Sequence, residues 1–216
     1  MTLLLASASP ARLGTLRAAG FDPAVRVSDV DEDQVLADAA QRGPLDPADA
    51  VLLLARAKAE AVAREVDGVV VLGCDSMLEL DGTVYGKPVD ADEAAARWRT
   101  MRGRSGVLHT GHWLIDTRPN RATDRGDEAA LGETASAVVY FADLSDEEID
   151  AYVATSEPLR VAGAFTVDGL GGPFVERIEG DPHTVVGVSL PLLRRLLARL
   201  GVTVPQLWSG TPATVG

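Results

Sequence analysis

The run Val69-Val-Val-Leu-Gly73 constrains this chain more than any other feature. β-Branched residues are stiff at χ1 and favour extended backbone. Nothing polar interrupts the run, so it predicts a central strand covered on both faces. A sheet held between helical layers is an α/β architecture. Asp75 follows at the expected carboxyl end of that strand, where open α/β sheets place their ligands.

The flanking patterns agree with this class. Leu3-Leu-Leu-Ala6 reads as a short buried strand, and 25–30 as another. Ser9-Pro10 opens a helix that Gly20 stops. Asp46-Pro47 opens a long helix ending near Gly68. Its positions Val51, Leu54, Ala55 and Val62 share one apolar face, and Lys58 falls on that face. A cation on a core-facing stripe must snorkel, pair or meet a ligand.

Further along, Asp81-Gly82 marks a hairpin between Met77–Leu80 and Val84-Tyr85. Asp90 with Glu93, and Ser145 with Glu148, are capping-box patterns for two more helices. Strands are expected over 107–116 and 135–141. A further hairpin is expected from 164–167 and 173–178, around Gly169-Leu-Gly-Gly172. A helix over 191–200 is stopped by Gly201. The polar stretch 117–134 reads as an exposed loop or insertion. Residues 1–208 then form one domain, with 209–216 as a flexible tail.

Composition excludes several classes of function. A chain of 216 residues can bury a sizeable core. Its net charge of −12 opposes binding to nucleic acid polymers or anionic membranes. No apolar run approaches the ~20 residues of a membrane span. The apolar start is too short, and lacks the basic residues, for a secretion signal. The one cysteine, Cys74, allows no intrachain disulfide, which suits the cytoplasm. Of the 20 basic residues only two are lysines, Lys58 and Lys87. A compact ammonium suits point contact with phosphate and is not interchangeable with a guanidinium.

Four segments carry candidate chemistry. In Ser7-Ala-Ser9-Pro10-Ala-Arg12 a strand runs through a polar turn into a helix N-terminus. Free backbone N–H groups, the Ser7 and Ser9 hydroxyls and the Arg12 fork favour an anion there. The same pattern also fits a plain capped helix with a solvated arginine. In Gly73-Cys74-Asp75-Ser76, Asp75 stands where a metal ligand or general base would. Lys87, in Gly86-Lys87-Pro88, returns from the hairpin towards it. With Lys58 and Arg12 this makes one carboxylate and three cations, a set suited to a triphosphate.

Asp29, Asp31, Glu32 and Asp33 read as a solvated loop, of which one member could join Asp75 around a divalent ion. The last segment holds Glu157-Pro158, Ala162-Gly163, Asp168-Gly169 and 180–187. There Asp168 could read a base edge, and ordinary glycine-rich turns fit equally. His109 and His112, three apart on a strand, point to opposite faces, which disfavours a zinc pair. There is no Walker loop.

Taken in order, these segments resemble the Maf family of nucleotide pyrophosphatases. The matching pieces include Leu4-Leu-Ala-Ser-Ala-Ser-Pro-x-Arg12, Asp31-Glu32, Ala55-x-x-Lys58, Gly73-x-Asp75-Ser76 and Gly86-Lys-Pro88 with Asp90. Later matches are Gly106 to Gly111, Tyr152 through Glu157-Pro158, Ala162-Gly163, Gly169, and Ile178-x-Gly180-Asp181 to Gly187.

The resemblance implies an elongated α/β/α domain around a long curved mixed sheet, with a cleft between two lobes (Maf/ITPase-like). It implies hydrolysis of nucleoside triphosphates, non-canonical ones included, to monophosphate and pyrophosphate with Mg²⁺ or Mn²⁺. The catalytic aspartate matches Asp75, with Glu32 as second metal ligand. Ser7, Arg12, Lys58 and Lys87 match phosphate-binding positions. Ser9, Ser76, Glu157 and Asp168 are expected to complete the substrate site.

Ala11, Ser76, Val161 and Asp168 depart from the commoner family residues, so no base preference carries over. The family's association with septum formation leaves a non-catalytic, nucleotide-binding regulator of division as the alternative. A homodimer is the default assembly.

Overall fold

The structure is a computed structural model that describes residues 1–119 and 129–208. The first half runs β1 (Leu3–Leu5), α1 (Pro10–Ala18), β2 (Ala24–Val25), α2 (Glu32–Ala40), α3 (Pro47–Ala63), β3 (Val70–Leu80), β4 (Thr83–Tyr85) and α4 (Ala91–Met101). The second runs β5 (Ser105–Asp116), β6 (Ala130–Phe141), α5 (Asp146–Ala154), β7 (Val175–Glu179), α6 (Pro182–Val186) and α7 (Leu190–Arg199). One mixed sheet has the order β2-β1-β3-β5-β6-β7, with β4 added to β3. The β2–β1–β3 pairings are parallel and the others antiparallel. This is the expected α/β class.

Asp75 does not lie past the end of a strand. The expected strand at 69–73 and the first arm of the hairpin are one continuous strand, β3. Continuity comes from β5, which pairs with β3 from Val70↔Asp116 to Glu79↔Val107. On its other edge β3 changes partner, with β1 beside residues 70–72 and β4 beside 78–80. Residues 73–77 have neither strand alongside, and the cleft opens there. The Asp81-Gly82 turn has positive φ at both residues (51° and 76°), the two-residue geometry that matches strand twist.

Side chains of β3 alternate between two faces. On one face Leu72 and Cys74 join a core with Leu16 and α7, while Leu78 and Leu80 join a second core around Trp98, Phe141 and Tyr152. Ser76 falls between these two cores. On the other face Val71 packs with Ala59 and Val62 of α3. Asp46 caps α3 by accepting from Ala48 N–H at 2.9 Å, and Pro47 begins the helix.

Two glycines bring α3 down onto the sheet. A Cβ on Gly73 would collide with the Ala55 carbonyl oxygen, and one on Gly111 with the Val51 carbonyl. Helix backbone therefore rests on strand backbone, which places Lys58 directly over Asp75.

Other expectations are corrected. The acidic run is not a loop: Asp31 caps α2 by accepting from Gln34 N–H at 3.0 Å, and Glu32 and Asp33 fill its first turn, where carboxylates suit the dipole. The strand expected over 25–30 is only the two-residue β2. β6 begins at Ala130, inside the stretch read as a loop; 120–128 and the tail 209–216 lie outside the described residues.

No hairpin forms from 164–167 and 173–178 either. Short 3-10 turns occupy 158–160, 162–164 and 172–174, and only β7 pairs, with β6. The segment is shaped by hydrogen bonds to Glu157 rather than by a strand ladder. No helix among the described residues is long and apolar enough to cross a membrane.

Candidate active site

A cleft of about 1280 Å³ opens at the free edge of β3. Its walls carry Ser7, Ser9, Arg12, Glu32, Lys58, Asp75, Ser76, Lys87, Glu157 and Asp168. These ten residues therefore face one space, although they do different things there, while Asp29, Asp31, His109 and His112 do not line it.

At the floor, Lys58 Nζ lies 2.6 Å from Asp75 Oδ1 and 2.8 Å from Glu32 Oε1. α3, β3 and α2 thus meet at one ammonium. Burial pushes the Asp75 carboxyl above the ordinary aspartate range, while Lys58 and then Arg12 pull it back part of the way. A buried charge is tolerated only when it is paired. Here Lys58 and Asp75 satisfy each other, and the second carboxylate on the ammonium, Glu32, is half-exposed, so water screens its excess negative charge.

Arg12 is held at three points. Its Nε donates to Gly187 O at 2.9 Å, one terminal nitrogen to Ser7 Oγ at 3.0 Å, and the other to Ser76 Oγ at 3.0 Å. Thr110 Oγ1 donates to Thr184 O at 2.8 Å, so its only hydrogen is spent there. The 2.9 Å bond between Ser76 Oγ and Thr110 Oγ1 then runs from Ser76 to Thr110. The chain is directional: Arg12 to Ser76 to Thr110 to Thr184. Ser76 therefore acts by orienting Arg12. Ser9 is the N-cap of α1, accepting from Arg12 N–H at 3.3 Å. A guanidinium has five N–H donors and three are used, which leaves two for a ligand.

Glu157 is occupied as well. Its carboxylate accepts from Tyr152 OH at 3.0 Å, Thr166 Oγ1 at 2.6 Å, and the N–H groups of Leu170 and Gly171 at 3.1 Å each. Burial acts to raise its pKa, but these donors outweigh it and hold the carboxyl below the ordinary range. Glu157 thus shapes the 166–171 loop that carries Asp168. Asp168 and Lys87 are both exposed and both line the cleft.

Several participants escaped the sequence reading. Thr110 and Thr184 end the Arg12 chain. His112 is fully buried, and Ser189 N–H donates to its Nε2 at 2.7 Å, so the proton sits on Nδ1 and is donated to Thr110 O at 3.0 Å. Asp181 accepts from Ser189 Oγ at 2.7 Å and from His183 N–H at 3.1 Å, tying the last turn before α7 to the site. A polar residue at a strand position between two cores is the signal that would have exposed Thr110. Cys74 is no nucleophile, since burial pushes its thiol up to about 11.

Among the described residues no three His, Cys, Asp or Glu side chains form a ready metal cluster. Asp75 and Glu32 nevertheless converge on one cation, the ammonium of Lys58. Two carboxylates are what Mg²⁺ takes from protein when phosphate and water supply the rest.

The sequence of this site and fold matches known proteins along almost its whole length. A nucleoside triphosphate pyrophosphatase from Salinispora tropica is 54% identical over 219 residues, covering 99% of this chain and 90% of that protein. One from Nocardia farcinica is 55% identical, covering 96% of each. One from Mycobacterium marinum is 48% identical, covering 97% and 98%. The family model described as Maf-like protein matches residues 2–200, which span every strand and helix around the cleft, and the chain belongs to that family.

Proposed function

We propose that this chain is a hydrolase that cleaves nucleoside triphosphates between the α and β phosphates, releasing a monophosphate and pyrophosphate. The observation that carries this reading is the convergence of Asp75, Glu32, Lys58, Arg12 and Lys87 on one cleft. The relatives' being nucleoside triphosphate pyrophosphatases supports it. A triphosphate needs several cations, because its charge grows on the leaving pyrophosphate as the bond breaks.

We propose that the enzyme works with Mg²⁺ or Mn²⁺, held by Asp75 and Glu32. Such an ion, when bound, supplies Lewis-acid stabilisation of phosphate oxygens. The chain's own residues do the rest. Arg12 aims its two free N–H donors at phosphate oxygens, from a position fixed by Ser7, Ser76 and Gly187. Lys58, buried, and Lys87, exposed in the cleft, add point charges. Asp75 orients the attacking water and accepts its proton, a role that a carboxyl with a raised pKa performs better than an ordinary one. Substrate oxygens entering the floor give Lys58 an alternative to Glu32.

Asp168 supports a finer proposal. A carboxylate offers only acceptors, which suit the adjacent N1–H and exocyclic amine of guanine and repel the carbonyls beside the imide of uracil or thymine. We propose guanine-type or modified bases as the preferred substrates, in the service of cleansing the nucleotide pool.

The test is pyrophosphate against orthophosphate release from canonical and modified nucleoside triphosphates, with each metal and with chelator. Asp75→Asn is the control. Pyrophosphate that is lost in Asp75→Asn establishes the reaction. Orthophosphate as the first product, or a fully active Asp75→Asn protein, overturns it.

A further inference from the structure

Lys87 carries no ion pair among the described residues, and its side chain is exposed in the cleft. Its backbone, by contrast, is clamped from both sides by one turn of α4. Arg97 donates to Gly86 O at 2.6 Å, on the residue before Lys87. Glu93 Oε2 accepts from Val89 N–H at 2.7 Å, two residues after it. The two clamping side chains are themselves joined, Arg97 to Glu93 Oε1 at 2.6 Å. Pro88 completes the device, since a residue before proline is restricted to extended backbone.

The Arg97 guanidinium is an expensive group to place there. Its side chain is only 3% exposed, and its Nε has no partner among the described residues. It lies 4.8 Å from the centre of the Tyr85 ring, which gives it a favourable face but no hydrogen bond. Burying a charge with an orphaned donor costs stability that an apolar residue in the same place would not. The packing of α4 alone does not call for it, because neighbouring Trp98, Ala94 and Met101 already fill that core.

The same carbonyl joins the 162–164 turn. Gly86 O also accepts from Gly163 N–H at 3.0 Å, and Trp98 Nε1 donates to Ala164 O at 2.7 Å. Gly163 and Ala164 both have positive φ, 74° and 61°. A left-handed alanine is held only where its surroundings overdetermine it. Consecutive α4 residues, Arg97 and Trp98, therefore tie down the segment that carries Lys87 and the 162–164 turn bonded to it.

We infer that the Arg97–Glu93 pair is a positioning device for the reaction, setting where Lys87 stands against the triphosphate. The inference rests on the proposed function and concerns residues that do not touch substrate. A fork suits position 97, because Gly86 O and Glu93 Oε1 are met by two separate terminal nitrogens held in one plane, whereas a lysine offers all its donors from a single atom.

The test is a set of single and double variants: Arg97→Met, Arg97→Lys, Glu93→Gln and Lys87→Met, with kcat and KM for pyrophosphate release. Affinity for a triphosphate carrying a non-hydrolysable α–β bridge is measured in parallel. Lys87→Met and Arg97→Met are each expected to lower kcat/KM by about tenfold or more, with Arg97→Lys failing to rescue. In the Lys87→Met background, Arg97→Met and Glu93→Gln should cost less than about twofold further, as expected for residues acting through one another.

Glu93→Gln, on the exposed side of the pair, keeps the test available if Arg97→Met does not fold. Additive losses, or losses in stability without any change in activity or affinity, overturn the inference. So does a Lys87→Met protein as active as the parent. If the parent itself releases no pyrophosphate, the proposed function fails, and the same coupling is read from nucleotide affinity.

Discussion

Lys58 Nζ lies 2.6 Å from Asp75 Oδ1, and each side chain is only about one-tenth exposed. The pair is the hinge of the site's electrostatics. Removing the lysine leaves a buried carboxylate beside Glu32, with Arg12 as the remaining neighbouring cation. Asp75 already has a raised pKa, and without Lys58 it should rise further. A carboxyl whose folded pKa exceeds its unfolded one stabilises most at low pH, and that stability is lost as pH rises through the folded value. Lys58→Met should therefore be destabilised relative to the parent by about 3 kcal/mol near pH 8, and by distinctly less near pH 4.5. Urea midpoints at the two pH values check this. An equal gap at both would show that Asp75 does not take up the proton.

Gly73 is the contact that makes this pair possible. Its missing Cβ leaves room for the Ala55 carbonyl and for Ala59 N. Both obstacles are helix backbone, which cannot turn aside as a side chain can. Gly73→Ala should cost about 3 kcal/mol or more, at the upper end of overpacking, and should lower activity by displacing Lys58. A thermal melt within a degree of the parent would contradict the close approach.

His112 makes the fold sensitive to acid. Burial lowers its pKa from 6.5 to about 4, and the Ser189 N–H already points at the nitrogen a second proton would need. The folded state therefore refuses a proton that the unfolded chain accepts. The sign follows: the contribution is complete above about pH 6.5 and is lost as pH falls towards 4, reaching about 3 kcal/mol. His112→Gln should be less stable at pH 7.5 and show a flatter decline between pH 6.5 and 4.5. A parent protein with no decline in that window would be evidence against it.

The parts of this structure legible in the sequence are those set by near neighbours. The Asp46-Pro47 cap, the Asp81-Gly82 turn and the Ser145 box depend on residues within one turn, and Lys58 betrays itself by helical spacing. What stayed hidden depends on distant chain. Gly73-Cys74-Asp75-Ser76 looks like a strand end, yet β5 carries the ladder straight through it. Asp31 with Gln34 signals a helix start, but the surrounding carboxylates disguise it as a solvated run. The 156–174 region has no local signature, because Glu157 organises it from up to 14 residues away and non-glycine residues adopt positive φ there. The sequence marks residues that line the cleft, but not that Arg12 is held by Ser7, Ser76 and Gly187 or that Glu157 is spent on its own loop.

Asp168 is the residue on which base preference should turn. It is exposed on the cleft wall, on a loop that Glu157 holds rigid through Thr166, Leu170 and Gly171. On the proposed reading, an acceptor-only group there would reward a base with two adjacent donors and penalise one whose single N–H lies between carbonyls. Asp168→Gln replaces one acceptor face with a donor. The ratio of kcat/KM for guanine over uracil triphosphates should then fall by about tenfold, with kcat on the better substrate little changed, since the phosphate groups are untouched. Glu157→Gln gives the second arm. It leaves Asp168 in place but loosens its loop, so both bases should lose affinity together and the ratio should move much less. A ratio unmoved by Asp168→Gln would remove Asp168 from base reading while leaving the cleavage chemistry intact.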